Sequence, residues 1–329
     1  MAKKEKEIID SVLDSTLKEL EKSYGKGIIT NLEDDESLQI DKVSCGHMAL
    51  DKALGGGIPR GRILEFYGAN SSGKSTLALS VIREFQLLGE NVVYLDAEYA
   101  FDKDYAQKNG VDNAKLIFCQ PEYTEQGLDI VEKFVESGNV GLIVVDSIAA
   151  MSPKAEIEGE AGDSHMGLQA RLMSQAFRRL TGKIHKSNTT VIFINQTRKN
   201  IGVMWGSPIT TTSGEALKFY SSIRVELAKT GMNKKGDVVL ATTVRAKIVK
   251  NKVAAPYKEA MFEIYFDSGI CKITDLVNAA IEKEIIKKSG AWFSYEGNNI
   301  SQGLENLRDL LKENKELFKK IKKEVLEKK

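Results

Sequence analysis

The sequence predicts an α/β fold: a doubly wound, mainly parallel central sheet with an N-terminal helix before it and a small α/β C-terminal domain after it. Three observations carry this reading. Short apolar runs at 63–67, 92–95, 116–119, 142–145 and 191–194 alternate with longer helical segments, the pattern of parallel strands joined by crossover helices. Later runs at 223–227, 241–249 and 259–265 alternate more in polarity and predict an antiparallel extension. Between the first run and the helix-like Thr76-Leu77-Ala78-Leu79-Ser80-Val81-Ile82 stands Gly68-Ala69-Asn70-Ser71-Ser72-Gly73-Lys74-Ser75.

Ahead of the sheet, Ile9, Val12, Leu13, Leu17 and Leu20 recur at helical spacing, which predicts an amphipathic helix near 5–23 that stops at Gly25-Lys26-Gly27. A lone helix with one apolar stripe must dock on something, either its own core or a neighbouring subunit. After Cys271 the chain turns helical and lysine-rich, with a stripe of Leu307, Leu310, Leu311, Phe318, Ile321 and Val325. The resulting division is 1–35 for the docking helix and linker, 36–270 for the core and 271–329 for the C-terminal domain.

At 329 residues the chain can bury a large core, and a formal net charge of +1 means that any nucleic-acid binding must use local patches. Cys45, Cys119 and Cys271 show no CxxC spacing, which fits a reducing compartment and argues against a zinc cluster. No stretch approaches the ~20 apolar residues of a membrane span, and the Lys/Glu-rich N-terminus has no apolar signal region, so a cytoplasmic protein is expected.

The glycine-rich octapeptide is a complete GxxxxGK[ST] phosphate loop in its required strand-loop-helix setting. Its glycines let backbone N–H groups face phosphate oxygens, and the following helix offers its positive end. Gly68, Ala69, Asn70, Ser71, Ser72, Gly73, Lys74, Ser75 and Thr76 are therefore the candidate nucleotide-binding residues, with Lys74 reaching the β- and γ-phosphates and Ser75 holding Mg²⁺.

In open α/β sheets ligands sit beyond the carboxyl ends of the parallel strands. The run 142–145 ends in Asp146, a Walker B type of carboxylate suited to hold Mg²⁺ directly or through water. The run 92–95 ends in Asp96-Ala97-Glu98 and the run 191–194 in Asn195-Gln196, which makes Glu98 the candidate to orient or deprotonate water and Gln196 the candidate γ-phosphate sensor. Strand ends also finish in polar residues simply on meeting solvent; the coincidence with a phosphate loop favours a site. Tyr105 either stacks on the nucleotide base or packs in the core.

Residues 197–212 show neither helical nor strand period, and they hold Arg198, Lys199, Ile201, Met204, Trp205 and Pro208. A loop of that length is usually functional or disordered; here the cations suit a phosphate backbone while Ile201 and Trp205 either stack on bases or pack on the core. A second irregular stretch, 158–167, is acidic and glycine-rich but lacks calcium-loop spacing. Lys247, Lys250 and Lys252 lie in a strand-like segment whose alternation puts Lys250 and Lys252 on one face, either solvated or donated to a neighbour's phosphates.

Several longer stretches together resemble the bacterial RecA family. They include Leu50-Asp51-Lys52-Ala53-Leu54-Gly55, Pro153-Lys154-Ala155-Glu156-Ile157-Glu158-Gly159-Glu160, Gly162-Asp163-Ser164-His165-Met166-Gly167-Leu168, Phe193-Ile194-Asn195-Gln196, Ile201-Gly202-Val203-Met204, Ala216-Leu217-Lys218-Phe219-Tyr220 and Val249-Lys250-Asn251-Lys252. The resemblance runs from about Lys22 to Phe318. It implies a helical homo-oligomeric filament on single-stranded DNA that searches duplex DNA, exchanges strands and promotes repressor self-cleavage in the SOS response, with recombination mediators as partners. ATP with Mg²⁺ would lie between subunits. Glu98 would be the catalytic carboxylate, Gln196 the γ-phosphate relay and Tyr105 a base-stacking residue, while Lys250 and Lys252 would act on the neighbour's ATP. Met166, Arg171, Arg198, Ile201, Trp205 and Gly214 would contact DNA, and the N-terminal helix would dock on the adjacent subunit.

The chain also departs from the family pattern. Trp205 stands where the family usually has Phe, Ala69-Asn70 replaces the common Pro-Glu, Ser213 and Glu215 flank Gly214, and the chain closes on Lys328-Lys329 instead of an acidic tail. Ready duplex binding is expected from that last difference; an appended acidic tail that left duplex affinity and its salt slope unchanged would contradict it. The rival classes are a motor on the same fold, a small-molecule kinase and a purely structural filament.

Overall fold

The computed structural model describes residues 2–25, 40–160, 167–199, 209–211 and 215–328. The chain divides into two units, Met1–Asp41 and Lys42–Lys329. In the first, α1 (Ala2–Tyr24) is one continuous helix that ends at Gly25, where φ is +99°. Val12 and Leu13 of its predicted stripe are exposed.

The second unit opens with a small antiparallel pair, β1 (Lys42–Val43) and β2 (Ile58–Pro59), around α2 (Met48–Leu54). The crossover region follows: β3 (Ile63–Gly68), α3 (Lys74–Leu87), β4 (Val92–Asp96), α4 (Lys103–Lys108), β5 (Leu116–Cys119), α5 (Thr124–Ser137), β6 (Leu142–Asp146), α6 (Lys154–Glu158), α7 (Leu168–Ser187) and β7 (Thr190–Lys199). Next come β8 (Ile209–Thr211), α8 (Ala216–Tyr220), β9 (Ile223–Lys235), β10 (Val238–Asn251), β11 (Glu259–Tyr265) and β12 (Gly269–Ile270).

The main sheet runs in the order β12-β11-β10-β9-β3-β7-β6-β4-β5. Pairing is parallel from β9 to β5 and antiparallel from β9 to β12; the 223–227 run, expected in the antiparallel extension, pairs antiparallel with β10 on one side but parallel with β3 on the other. β3, β4 and β6 are buried along their whole length because helices cover both faces of the sheet, whereas β5 at its margin is partly exposed. Leu64 and Phe66 meet Leu77, Ile82 and Phe85 of α3 on one side, while Ile63 and Phe193 meet Val131 of α5 and Phe177 of α7 on the other. Each such side chain, fully buried, contributes about 1.5–3 kcal/mol. Glu65 is the one carboxylate within β3, and it has no exposed surface.

The C-terminal segment consists of α9 (Lys272–Glu282), β13 (Ile286–Ser289), β14 (Trp292–Tyr295), β15 (Asn298–Gln302), α10 (Leu304–Glu313) and α11 (Lys315–Glu327). Leu307, Leu311, Ile321 and Val325 pack with Phe293 and Tyr295 in a separate core. A three-stranded antiparallel sheet lies among these helices, so the segment is the small α/β domain expected. Its short strands are rich in Lys, Ser and Asn and carry little period-2 apolar signal.

One expectation is corrected. β7 does not end at Gln196 but continues to Lys199, and Thr197, Arg198 and Lys199 pair antiparallel with Thr211, Thr210 and Ile209. The base of the 197–212 loop is therefore a ladder whose partner lies too far along the chain for local periodicity to reveal. In β10 the register shifts between Ile248 and Lys250 and the strand ends at Asn251, so Lys250 lies in its last pairs and Lys252 follows it.

Candidate functional site

The phosphate loop leaves the carboxyl end of β3 and enters α3 through Gly73, whose φ is +89°. A Cβ on Gly68 would stand 2.2 Å from the Leu227 carbonyl oxygen of β9, and one on Gly73 would meet Ile264 Cδ1 at 2.3 Å. Close packing thus requires glycine at 68, and the left-handed turn requires it at 73. The Lys74 ammonium lies within the loop, donating to the carbonyls of Ala69 at 2.8 Å and Gly68 at 3.2 Å. Burial lowers its pKa, against the opposing pull of Asp146 and Glu98. Ser72 Oγ is buried without a partner among the described residues, a donor suited to a phosphate oxygen.

Asp146, at the end of β6, accepts hydrogen bonds on Oδ2 from Ser75 Oγ at 2.6 Å and Tyr94 OH at 2.7 Å. Burial raises its pKa; the Ser75 and Tyr94 bonds oppose that shift and nearby Glu98 adds to it. Glu98, in the exposed turn after β4, accepts on one oxygen from Ser147 Oγ at 2.5 Å and Gln196 Nε2 at 2.9 Å. Asp96 turns instead onto its own loop, accepting from Ala100 N and Phe101 N, and also accepts from Gln120 Nε2 just beyond β5. Tyr105, on α4, shares a 3.0 Å hydrogen bond with Thr76 Oγ1 and packs partly against the core.

Three hydrogen-bonded groups, Ser75 and Tyr94 with Asp146, Ser147 and Gln196 with Glu98, and Thr76 with Tyr105, therefore lie around the phosphate loop. Ser75, Tyr94, Glu98, Tyr105 and Asp146 line a cavity of about 110 Å³, well below the ~300 Å³ at which ligand pockets begin. Larger cavities lie elsewhere: one of about 630 Å³ between α2 and α9 is lined by Met48, Ala279 and Val325 and by no phosphate-loop residue. Chemistry and not volume locates the site.

Lys250 and Lys252 are not brought to this edge. Lys250 is registered on Arg224, itself registered on Glu65, so it lies two strands across and three residues short of Gly68, roughly 10 Å away in each direction. Its ammonium donates to the Lys218 carbonyl at 2.6 Å and the Phe219 carbonyl at 2.9 Å near the end of α8. Burial lowers its pKa, and Lys252 and Arg224 lower it further. Arg171 is exposed in the first turn of α7, and Arg198 is exposed on β7. Met166, Ile201, Trp205 and Gly214 lie outside the described residues.

Sequence reasoning missed Tyr94 and Ser147 as partners of the two carboxylates, and it missed Glu65 with Arg224. For Glu65 a signal existed, a charge inside an otherwise apolar run. The cysteines are all free, with Cys45 buried. No helix among the described residues is long and apolar enough to cross a membrane.

A phosphate loop at the end of a parallel strand, flanked by a buried carboxylate and an exposed carboxylate-amide pair on neighbouring strands, defines a nucleotide-binding α/β protein of the P-loop class. The RecA N-terminal domain matches residues 11–271 and the RecA C-terminal domain matches 274–329. Protein RecA of Geobacter metallireducens is 52% identical over 320 residues, 97% of this chain and 94% of the relative. Protein RecA of Chloroherpeton thalassium is 52% identical over 316 residues (96% and 88%), and that of Staphylococcus epidermidis is 50% identical over 317 (96% and 91%). The chain belongs to the RecA family. It is accordingly an ATP-binding, DNA-dependent ATPase that forms a filament on single-stranded DNA, exchanges strands in recombinational repair and acts in the SOS DNA-damage response.

Proposed function

We propose that Glu98 activates the water that attacks the γ-phosphate of ATP and that Gln196 reports the presence of that phosphate to the DNA loops. The observation that carries this reading is the single Glu98 oxygen shared by Ser147 and Gln196. An exposed carboxylate held by two donors is oriented yet accessible, as a general base must be. Gln196 begins the part of β7 that continues to Arg198 and the β8 ladder, so a change at its side chain acts on the base of a DNA-contacting loop.

Lys74, Ser72 and the loop amides bind the phosphates, and Tyr105 stacks on the base. Mg²⁺ suits the all-oxygen pair of Ser75 and Asp146, and when bound it neutralises charge on the β- and γ-phosphate oxygens. The small cavity beside the loop favours a site completed by an adjacent subunit, whose Lys250 and Lys252 supply cations in trans. For Lys250 this requires release from the Lys218 and Phe219 carbonyls, which would link α8 to the neighbour's nucleotide.

Met166, Arg171, Arg198, Ile201, Trp205 and Gly214 contact single-stranded and duplex DNA, and α1 docks on the adjacent subunit. The SOS repressor and recombination mediators are the protein partners, in the cytoplasm. The core spans 36–270 and the C-terminal domain 271–329. Hydrolysis by Glu98→Gln tests the reading: loss of turnover with ATP binding retained supports it, and normal turnover contradicts it.

A further inference from the structure

Glu65 of β3 is fully enclosed, yet its carboxylate reaches both neighbouring strands. Oε1 accepts from Asn195 Nδ2 on β7 at 2.9 Å, and Oε2 accepts from Arg224 Nε on β9. The Arg224 guanidinium also lies over the Tyr67 ring, 4.7 Å from its centroid. A carboxylate paired with arginine is acceptor-only, so Asn195 must turn its NH₂ group toward it. That leaves Asn195 Oδ1 to accept from the Gln196 backbone N–H at 2.9 Å. The Gln196 side chain in turn donates to Glu98.

We propose that Glu65, braced by Arg224, is a positioning residue for the Gln196–Glu98 pair. By dictating which way the Asn195 amide faces, it fixes the backbone at Gln196 and with it the aim of the side chain at Glu98. The role rests on the reading of Glu98 and Gln196 as the hydrolytic pair. It also accounts for a buried charge where the rest of β3 is Ile, Leu, Phe, Tyr and Gly.

The test is steady-state ATP hydrolysis on single-stranded DNA by Glu65→Gln, Asn195→Asp and the double variant. In Glu65→Gln the introduced amide can donate as well as accept, so position 65 no longer selects the NH₂ group of Asn195 as its partner. In Asn195→Asp two carboxylates oppose each other. Each folded single variant is expected to lose about 10- to 100-fold in kcat, with KM for ATP within about twofold. In the double variant the one carboxylate sits at position 195, accepting from the introduced amide at 65 and from the Gln196 N–H, while the amide oxygen at 65 still accepts from Arg224. The expected kcat recovers to within about threefold of the parent.

A folded single variant with parental kcat overturns the role, as does a double variant no faster than the singles. If a single variant fails to fold, the double variant is compared directly with the parent: matching kcat supports the role and a tenfold or greater deficit overturns it. Glu98→Gln in the same assay separates the two levels. Normal turnover there defeats the underlying reading; an inert Glu98→Gln beside a fully active Glu65→Gln defeats the positioning role alone.

Discussion

Gln196 donates to Glu98 at 2.9 Å, joining the carboxyl end of β4 to a point partway along β7, two strands away. The bond puts a carboxylate that can activate water in contact with the strand that leads to Arg198. A base in that position contributes about 10²–10⁴-fold to the rate. Glu98→Gln should therefore lower kcat by that range while binding a fluorescent ATP analogue with parental affinity. Turnover within tenfold of the parent would remove Glu98 from its role.

The Ser75–Asp146 contact of 2.6 Å predicts a metal dependence. Asp146→Asn should raise the Mg²⁺ concentration for half-maximal hydrolysis at least about tenfold, because a carboxylate is the stronger ligand for a hard cation. Burial raises the Asp146 pKa, so acid should raise the Mg²⁺ requirement of the parent, and the variant should lose that pH dependence. A Mg²⁺ titration at several pH values reads both effects.

The phosphate loop tolerates no side chain at its first glycine. At Gly68 a Cβ would meet the Leu227 carbonyl, which belongs to a paired strand and cannot yield. Gly68→Ala should cost about 2–4 kcal/mol. Gly73→Ala meets only the movable end of Ile264 but keeps φ at +89°, for about 1–3 kcal/mol. Gly138→Ala, with φ at +65° and open space, should cost about 1–2 kcal/mol. Chemical denaturation should reproduce that order, with Gly68 worst.

How much of this was legible in the sequence depended on how local the signal is. The strands that carry the site stand out because sheets covered on both faces need unbroken apolar runs, and the phosphate loop announces its own spacing. The edge on which Asp146, Glu98 and Gln196 meet follows from their places at or near strand ends. The ladder of Thr197 to Lys199 with β8 was hidden because its partner lies beyond a long loop. The bulge before Lys250 leaves no composition signature. Glu65 needed its cross-strand neighbours before its charge made sense.

Where α2 meets α9, Asp275 accepts from Met48 N at 2.5 Å and lies 3.2 Å from His47 Nδ1. Burial pushes Asp275 from 3.8 up to about 6, against the Met48 and Ala49 bonds, and pushes His47 from 6.5 down to about 4, against the pull of Asp51. The Asp275 contribution to stability is therefore complete below pH 3.8 and lost as pH rises through about 6. The His47 contribution is complete above pH 6.5 and lost as pH falls through about 4. The two oppose each other across that window. Relative to the parent, Asp275→Asn should lose stability more steeply on acidification and His47→Gln should lose it less steeply. Denaturation midpoints between pH 4 and 7 that shift in parallel for all three would contradict the assignment.

The central claim is an ATPase whose catalytic carboxylate is tied through Gln196 to the strand that enters a DNA-binding loop. Steady-state ATP hydrolysis with and without single-stranded DNA, using Lys74→Ala as the blank, tests it most directly. The account predicts strong stimulation by DNA in the parent and none in the blank. Hydrolysis indifferent to DNA, or turnover surviving in Lys74→Ala, would contradict it.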